Sequence, residues 1–296
     1  MGISIAKSIA FSLIPNGGSK QVVKLQTNQV EKPFTKLRKQ LKRFPSHARP
    51  EDVHSLRTYT RRLEATITAL VLDREKKSRR LIKTITPVRK AAGKVRDMDV
   101  LIADVLALSR HQGSSALVRL VQHLARIRGK SARKLRDVVR SHRREACERL
   151  KQSVKLIRKK LKEDSEAMSG EAAPQFLMTE LSHWPELDAG NLHLFRIRIK
   201  KLRYMLQLVP QPEGKLLDAL GEVKDAIGDW HDWVELLRIS RKVLDPGLDG
   251  QLLQRIDEIR NEKLRQALTA ANQLRARYFH ETHSGQSGTR VLQMVS

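Results

Sequence analysis

Apolar residues recur along most of the chain at alternating steps of three and four positions, which is the period of an amphipathic α-helix. Beyond residue 30, no run shows the two-residue alternation that is typical of a half-buried strand. The pattern therefore predicts an all-α fold. Two series of apolar positions are the clearest candidates for the buried seams of helical bundles: Val53, Leu56, Thr60, Leu63, Ile67 and Leu70, and Leu192, Phe195, Ile199, Leu202, Leu206 and Val209.

The same periodicity predicts where the helices lie. Pro45 and Pro50 separate the first two helices, and Pro87 either begins a new helix or kinks one. Residues 163–191 contain two prolines and two glycines and are locally acidic, so we expect them to connect two halves of the chain. The predicted helices are 22–43, 51–72, 74–85, 87–110, 115–127, 129–163, 190–208, 213–240 and 248–279.

Short motifs recur in the same order in both halves. The residues around His54 match those around His193, and Gly93–Asp97 matches Gly228–Asp232 at nearly the same offset. Two ordered matches indicate an internal duplication, which predicts two pseudo-symmetric antiparallel helical bundles. The expected units are a first bundle at 22–163, a connecting segment at 164–190 and a second bundle at 191–280, with an N-terminal segment of uncertain structure at 1–21 and a C-terminal tail at 281–296.

A row of basic side chains follows each seam one residue later. At ~100° per residue the row occupies an arc of ~80° and extends ~15 Å along its helix. Like charges at this spacing repel one another, which favours an anion bound along the row. A solvated face of long cationic side chains is the alternative. The rows are His54, Arg57 and Arg61 in the first half, and His193, Arg196, Lys200 and Arg203 in the second.

The overall charge also points to an anionic partner. The chain has 58 Lys and Arg residues against 32 Asp and Glu residues, a net charge of +26. Such an excess repels itself unless an anion screens it, and nucleic acid, an acidic membrane surface and polyphosphate all fit. Aromatic residues make up only 4% of the chain and are absent from the rows, whereas base stacking usually requires them.

The two halves share a glycine and an aspartate downstream of the rows. Gly93 and Gly228 lie inside predicted helices, where glycine costs about 1 kcal/mol relative to alanine, so their recurrence indicates a close helix approach or a kink. Asp97 and Asp232 follow four residues later, and we expect each to pair with a cation and orient it. The alternative, half of a metal phosphohydrolase site around Asp232, is weakened because Arg96 at the matching position cannot bind a metal.

The two rows also begin with a histidine. Near phosphate, the charged form of His54 or His193 would be favoured, although a structural histidine at a helix start is the alternative. Cys147 is the single cysteine, so an internal disulfide is excluded and a reducing, cytoplasmic location is expected. The apolar stretch at residues 3–14 is too short to span a bilayer, and no clear signal-peptide cleavage site follows it.

These paired motifs resemble the CHAD family, the conserved histidine α-helical domain. The resemblance rests on His-x-x-Arg-x-x-x-Arg/Lys-Arg/Lys-Leu opening each half and on Gly-x-x-Arg/His-Asp in both, with Lys130–Val154 similar to the family's middle segment. It covers roughly residues 30–280. It implies two bundles around a basic groove or central cavity that binds inorganic polyphosphate. No Glu-x-Glu-x-Lys signature of a triphosphate-tunnel domain is found, so the stand-alone form is expected.

The resemblance assigns polyphosphate binding to the positions that match the helix motif. Glu64 stands where the second half has Arg203, so the first row is one cation shorter. The predicted binding residues are His54, Arg57, Arg61, Arg62, His193, Arg196, Lys200, Lys201 and Arg203. Other basic runs and the two aspartates supply supporting or peripheral residues, namely Arg80, Lys83, Arg89, Asp97, Arg133, Arg140 and Asp232.

The function predicted is non-catalytic binding of polyphosphate, with association with polyphosphate granules as a further expectation. No catalytic residue, metal or cofactor is expected, because the sequence has no P-loop, no clustered acids and no His-Glu-x-x-His. Cys147 lies among arginines that could lower its pKa, but a buried bundle cysteine is favoured. An RNA- or nucleic-acid-binding protein remains the alternative, with a metal-dependent phosphohydrolase behind it. No membrane insertion is expected, and the oligomeric state is left open.

Overall fold

The computed structural model describes residues 27–70, 72, 75–109, 114–163, 172–208 and 213–279. Within these ranges the chain forms helices and no strand, which confirms the all-α class. None of the described helices combines the length and the apolarity that crossing a bilayer requires. The helices are α1 (Thr27–Lys42), α2 (Pro50–Ala69), α3 (Lys76–Ser109), α4 (Ser115–Glu163), α5 (Ala172–Ser182), α6 (Leu192–Leu206), α7 (Gly214–Val243) and α8 (Gly250–Tyr278).

Two predicted helix breaks do not exist, so the corresponding predictions were wrong. α3 runs through Pro87, although a proline inside a helix costs about 3 kcal/mol or more. Ile85 and Val88 are buried on either side of it and hold both halves of α3 against one core. α4 likewise runs through Gly129, where the cost is only about 1 kcal/mol. Apolar packing thus outweighs the local preference of both residues.

The predicted connection at 164–190 contains a helix, α5, which the sequence analysis missed. Pro174 is its third residue and lies in the first turn, where backbone N–H groups have no partner within the helix anyway. Leu177, Met178 and Leu181 are buried against the helices of the second half. Proline and glycine in this segment therefore lie near or beyond the ends of a short helix, and they do not indicate that the whole segment is a loop. Residues 164–171 lie outside the described part of the chain.

The two predicted seams are buried, with one local change. All six positions of the α2 series are buried, and so are the first four of the α6 series. After Leu202, the buried positions become Met205 and Leu208, while Leu206 is only half-buried. The buried positions therefore shift by one residue at the end of α6, which ends at Leu206. Val209 lies outside the described residues.

Buried apolar side chains form three cores. The first holds α1 to α4 together, and the second does the same for α5 to α8. The third core joins the two groups, because α3, α4, α7 and α8 all contribute to it. The matching roles of α3 and α7 agree with an internal duplication, which itself stays a prediction. The third core consists of Met98, Leu101, Val105, Leu117, Leu120, Leu124, Trp233, Leu236, Leu237, Ile239 and Ile256.

Ion pairs reinforce this junction at its margin. The Arg119 guanidinium donates two hydrogen bonds, of 2.8 and 2.7 Å, to the Asp249 carboxylate at the start of α8. Arg128 Nε donates to Asp99 Oδ1 at 2.8 Å and joins α4 to α3. Bidentate or well-aligned arginine–carboxylate pairs of this kind fix geometry as well as adding energy. They set the spacing of the helices that surround the candidate site.

We predict that Leu236→Ala lowers the free energy of unfolding by about 2–5 kcal/mol, because a fully buried leucine of the third core is removed. Urea denaturation followed by circular dichroism measures the change. Leu248→Ala is the control, since that leucine is 88% exposed and its loss should change stability by no more than about 0.5 kcal/mol. Equal effects of the two substitutions would contradict the role assigned to this core.

Candidate anion-binding site

A cavity of about 990 Å³ lies between the two groups of helices. α2, α3, α6 and α7 supply most of its lining, and α4 adds His123, Ile127 and Ser131. Nine Lys or Arg side chains, five carboxylates and four histidines of the described residues face it. A cavity with this excess of cations is suited to an anion, because field lines concentrate between low-dielectric walls.

Residues of both basic rows line this one cavity. α2 brings His54, Arg57 and Arg61 to it. α6, which packs against α2, brings His193, Arg196 and Lys200 to the same space. Each row is positioned by the buried seam beside it, which fixes the rotation of its helix. The side chains that the sequence placed in separate halves therefore face a shared volume.

The central arginine of each row lies on a helix glycine. A Cβ atom added to Gly93 would come within 2.6 Å of Arg57 Nη1. A Cβ atom added to Gly228 would come within 3.1 Å of Arg196 Cζ. The recurrence of glycine is therefore explained by the close approach of a guanidinium group, and not by contact between two helix backbones. The two glycines create the space in which the arginines sit.

Aspartates and backbone oxygens steer these guanidinium groups. Arg57 Nη2 lies 3.8 Å from Asp97 Oδ1, an ion pair of the kind expected from the sequence. Arg196 Nε instead donates a 2.9 Å hydrogen bond to the carbonyl oxygen of Lys224. Asp232 attracts Arg196 electrostatically but forms no ion pair among the described residues. Each arginine is thus held, but by a different principal partner.

Lys200 shows how strongly the cations crowd one another. Burial lowers the pKa of Lys200 to about 7, with further lowering from Arg196 and Arg61. Burial likewise lowers the pKa of Arg196. Desolvation and like charge both disfavour a charged amine, and a bound anion is what would counter them. Lys200 therefore marks the part of the cavity where an anion is most needed.

The histidines lie among the same charges. The rings of His193 and His231 are 4.6 Å apart between centroids and tilted by 35°. Burial lowers the pKa of His193, and His231 and Arg196 lower it further. Burial, followed by Arg96, lowers the pKa of His54, whose Nε2 lies 3.4 Å from Thr58 Oγ1. The cations thus favour neutral rings in the free protein, and an anion would act in the opposite direction.

Carboxylates occupy the α3 and α7 side of the cavity. Burial raises the pKa of Asp232 to about 6, and repulsion from Asp104 and other carboxylates adds to the shift. Asp104, behind the lining, also has its pKa raised to about 6 by burial and by Asp229. In the described part of the chain, no group of three or more His, Cys, Asp or Glu side chains is arranged to hold a metal ion. All five lining carboxylates belong to α3 and α7, so the net excess of cations lies on α2 and α6.

Comparison with known proteins decides the family. A family model described as the CHAD domain matches residues 28–241. The chain belongs to the CHAD family. The resemblance of its paired motifs is thereby confirmed, and every lining residue of the cavity except Lys242 lies within the matched range. No curated protein sequence gave a match.

Two solved structures are similar to this CHAD protein. The crystal structure of the CHAD domain from the plant Ricinus communis has a TM-score of 0.62 and 18% identity, and the match covers 88% of this chain and 95% of that one. PptA from Streptomyces chartreusis has a TM-score of 0.60 and 15% identity, with 84% and 97% of the chains covered. At these identities the likeness shows the shared fold.

Three predicted binding residues of the CHAD protein lie outside the cavity lining. Arg62 and Lys201 immediately follow row positions, and both are half-buried. Arg203 Nε donates a 3.2 Å hydrogen bond to the Leu217 carbonyl oxygen, and the side chain lies against Gly221. Arg203 thus joins α6 to α7 in the same manner as Arg196, but about two turns further along α6 and outside the cavity lining.

The supporting residues divide in the same way. Asp97 and Asp232 line the cavity, whereas the five basic ones do not. Arg89 Nε lies 2.7 Å from the Glu64 carboxylate, so the glutamate that replaces a row cation is neutralised by α3. The other four are exposed on the outer surfaces of α3 and α4, namely Arg80, Lys83, Arg133 and Arg140.

The sequence analysis missed much of the α3 and α7 contribution to the CHAD cavity. A helical spacing is visible in the sequence, because the α7 lining residues recur at steps of three and four on either side of Gly228. It was overlooked because acids alternate with cations there, as they do on an ordinary solvated face. The basic, histidine and tyrosine residues missed are Lys94, Arg96, His123, Tyr204, Lys224, His231, Arg238 and Lys242.

We predict that one lysine of the protein titrates near pH 7, and that it is Lys200. Carbon NMR of lysine Cε in labelled protein should show this resonance, and Lys200→Arg should remove it. Arg196→Gln should raise its midpoint, because a neighbouring positive charge is lost. Lys201→Arg is the control and should leave the resonance in place. A spectrum in which no lysine titrates below pH ~9 would rule out the crowding described above.

Proposed function

We propose that this CHAD protein binds inorganic polyphosphate in the cavity and does not hydrolyse it. The main support is the pair Arg57 and Arg196, one from each half, each lying on a glycine and facing the same volume. Arginine donates two parallel hydrogen bonds to phosphate, and lysine adds a mobile charge. A chain of phosphates can engage several of these groups at once.

The character of the lining favours a phosphate chain over a polymer with bases. Tyr204 is the one Phe, Trp or Tyr residue among the described lining residues. Recognition of single-stranded nucleic acid usually relies on several stacked aromatic side chains, each worth about 1–3 kcal/mol. Phosphate contacts need none. The cavity therefore suits a polymer whose only recognition features are charge and oxygen acceptors.

Binding should strengthen with chain length and weaken with salt. A longer polyphosphate engages more cations once the first phosphates are bound, which raises the effective concentration of the rest. Release of counterions from the polyanion makes the affinity fall steeply as salt is added. We further propose that the protein acts in the cytoplasm at polyphosphate granules. Release of orthophosphate on addition of magnesium would contradict the non-catalytic part of the proposal.

The first prediction for this site concerns Arg57→Glu combined with Arg196→Glu. The double variant should lose at least about 100-fold in affinity, because two charge-assisted contacts of about 1.5–3 kcal/mol each become repulsive. Fluorescence anisotropy with labelled polyphosphate of several lengths measures binding, and thermal denaturation checks that the variant is folded. A folded double variant with normal affinity would refute the site.

The control for this experiment is Arg62→Glu combined with Lys201→Glu. It makes the same change in net charge on the same two helices, but outside the cavity lining. Its affinity should stay within about threefold of the unmodified protein, since neither side chain lines the cavity.

The same assay distinguishes polyphosphate binding from nucleic-acid binding. At matched phosphate concentration tRNA should not displace labelled polyphosphate, and preferential displacement by tRNA would favour RNA binding.

The second prediction concerns Gly228→Ala. The added methyl group would displace the Arg196 guanidinium and disturb its hydrogen bond to the Lys224 carbonyl oxygen. We expect polyphosphate affinity to fall about tenfold, the equivalent of about 1.4 kcal/mol. The free energy of unfolding should not fall correspondingly, because alanine favours the helix by about 1 kcal/mol.

Gly129→Ala is the matched control, since nothing lies within 4 Å of its added Cβ atom. It should raise stability without changing affinity. Calorimetry of binding and urea denaturation of both variants give the two quantities needed. Unchanged affinity in Gly228→Ala would show that the position of Arg196 does not matter for the ligand.

A further inference from the structure

A second basic surface runs along α4, the longest described helix. Its members recur at steps of seven, seven, four, seven and seven residues, so they share one face of the helix. All six are exposed. At ~1.5 Å per residue they extend over about 48 Å. We call this set the α4 row, and it consists of Arg126, Arg133, Arg140, Arg144, Lys151 and Arg158.

The α4 row is separate from the cavity. α4 contributes His123, Ile127 and Ser131 to the cavity lining, and none of these belongs to the row. At ~100° per residue, Arg133 lies about 160° around the helix from Ser131 and about 120° from Ile127. Arg126 comes nearest to the lining, about 60° around the helix from His123. The other five members of the row follow Ser131 along α4, so a ligand bound to them would not share its contacts with a ligand in the cavity.

The cations of the row are largely not neutralised by the protein itself. Arg158 pairs with Glu31 of α1, with Nε lying 2.6 Å from Oε1. Among the residues the structure describes, the other five members of the row form no ion pair. The nearby Glu145 is bound instead by Arg149, at 2.6 Å. Two exposed carboxylates, Asp137 and Glu148, lie beside the row, each four residues after one arginine and three before the next cation. In the described part of the chain neither forms an ion pair with a member of the row, so this face keeps an excess of cations, six against two.

α1 widens the surface beside the row. The Glu31–Arg158 pair fixes one end of the α1–α4 contact. Further along it, the Cys147 thiol donates toward the Arg38 carbonyl oxygen, with Sγ 4.0 Å from that oxygen. Burial raises the pKa of the Cys147 thiol, while Lys42, Arg38 and Arg143 oppose that rise. These three cations therefore lie near Cys147 at the edge of the row. Both helices present positive charge to the same side.

We propose that the α4 row binds double-helical nucleic acid through its phosphate backbone. A duplex carries one charge per ~1.7 Å of its axis in a rigid arrangement, so it can meet several fixed arginines without being ordered first. A flexible phosphate chain laid along an open helix surface would lose conformational freedom over the whole length. Binding through phosphates reads no bases and is independent of sequence. The inference is independent of the polyphosphate proposal, because the two surfaces differ.

The test is charge reversal on the row, with Arg133→Glu, Arg140→Glu and Arg144→Glu combined in the full chain. The probe is a labelled DNA duplex of about 20 base pairs, which at ~3.4 Å per pair exceeds the length of the row. We expect duplex affinity to fall at least tenfold. The slope of log affinity against log salt should become shallower by about 2.7, since each phosphate contact contributes ~0.9. Polyphosphate affinity should remain within about threefold.

The matched control is Lys76→Glu, Lys77→Glu and Lys215→Glu combined, which changes the net charge equally at exposed positions off the row. Equal duplex affinity in the row and control variants would overturn the proposal. So would a loss of polyphosphate binding as large as the loss of duplex binding, because the row would then extend the cavity site. Binding to vesicles with phosphatidylserine but not to the duplex would assign the surface to membranes instead.

The cavity variant, Arg57→Glu with Arg196→Glu, is measured with the same duplex. It should bind the duplex as the unmodified protein does. If it also binds polyphosphate normally, the proposed function fails while the α4 row is unaffected. If it loses the duplex, the row is not the duplex site.

Discussion

The site depends on two arginine guanidinium groups that occupy space left by glycine in the opposite helix. Arg57 lies on Gly93 and Arg196 on Gly228, so each charge is held beside a helix backbone at the wall of a cavity. Because Gly93 of α3 and Gly228 of α7 have no Cβ atom, the basic side chains of α2 and α6 can reach a common volume. Each glycine costs its helix about 1 kcal/mol relative to alanine, and in return it leaves the space that fixes the position of one guanidinium group.

Holding like charges together requires a frame that cannot relax. The first two cores fix the rotation of α2 and α6 through their buried seams, and the third core joins the ends of α3 and α4 to those of α7 and α8. Mutual repulsion would otherwise spread the walls of the cavity. Carboxylates on the α3 and α7 side, of which Asp97 contacts Arg57, offset part of that repulsion and leave the α2 and α6 side the more positive.

Much of the fold and of the candidate site could be predicted from the sequence, and each wrong prediction has a physical cause. The α2 seam and the first four positions of the α6 seam were predicted correctly, because helical periodicity is a strong local signal. The central members of both rows line one cavity, and their role in binding stays a prediction. Continuity through Pro87 and Gly129 could not be predicted, since it depends on packing by Ile85 and Val88 and by residues far along the chain. The α7 wall was missed because its acids and bases alternate, and only the fold shows which face they turn inward.

The positions of Arg203 and the other outer cations also depended on tertiary structure. A residue outside the cavity lining can have the same spacing along its helix as a residue inside it, and sequence alone does not say which side chains reach a cavity. Arg203 repeats the arrangement of Arg196, with a guanidinium on a glycine and a hydrogen bond to an α7 carbonyl oxygen. The shared geometry suggests that seating on glycine is primarily a way of joining helices, which at Arg57 and Arg196 is combined with access to the cavity.

The lowered pKa of Lys200 would couple binding of the proposed polyanion to the uptake of protons. Near neutral pH a fraction of the empty protein carries Lys200 as the uncharged amine, because its pKa is about 7. A polyanion that restores the charge raises that pKa, so the complex holds more protons than its separate parts. The affinity for a polyanion would therefore increase as pH falls from the ordinary lysine range toward 7. The additional protons that the complex holds would be taken up from the buffer.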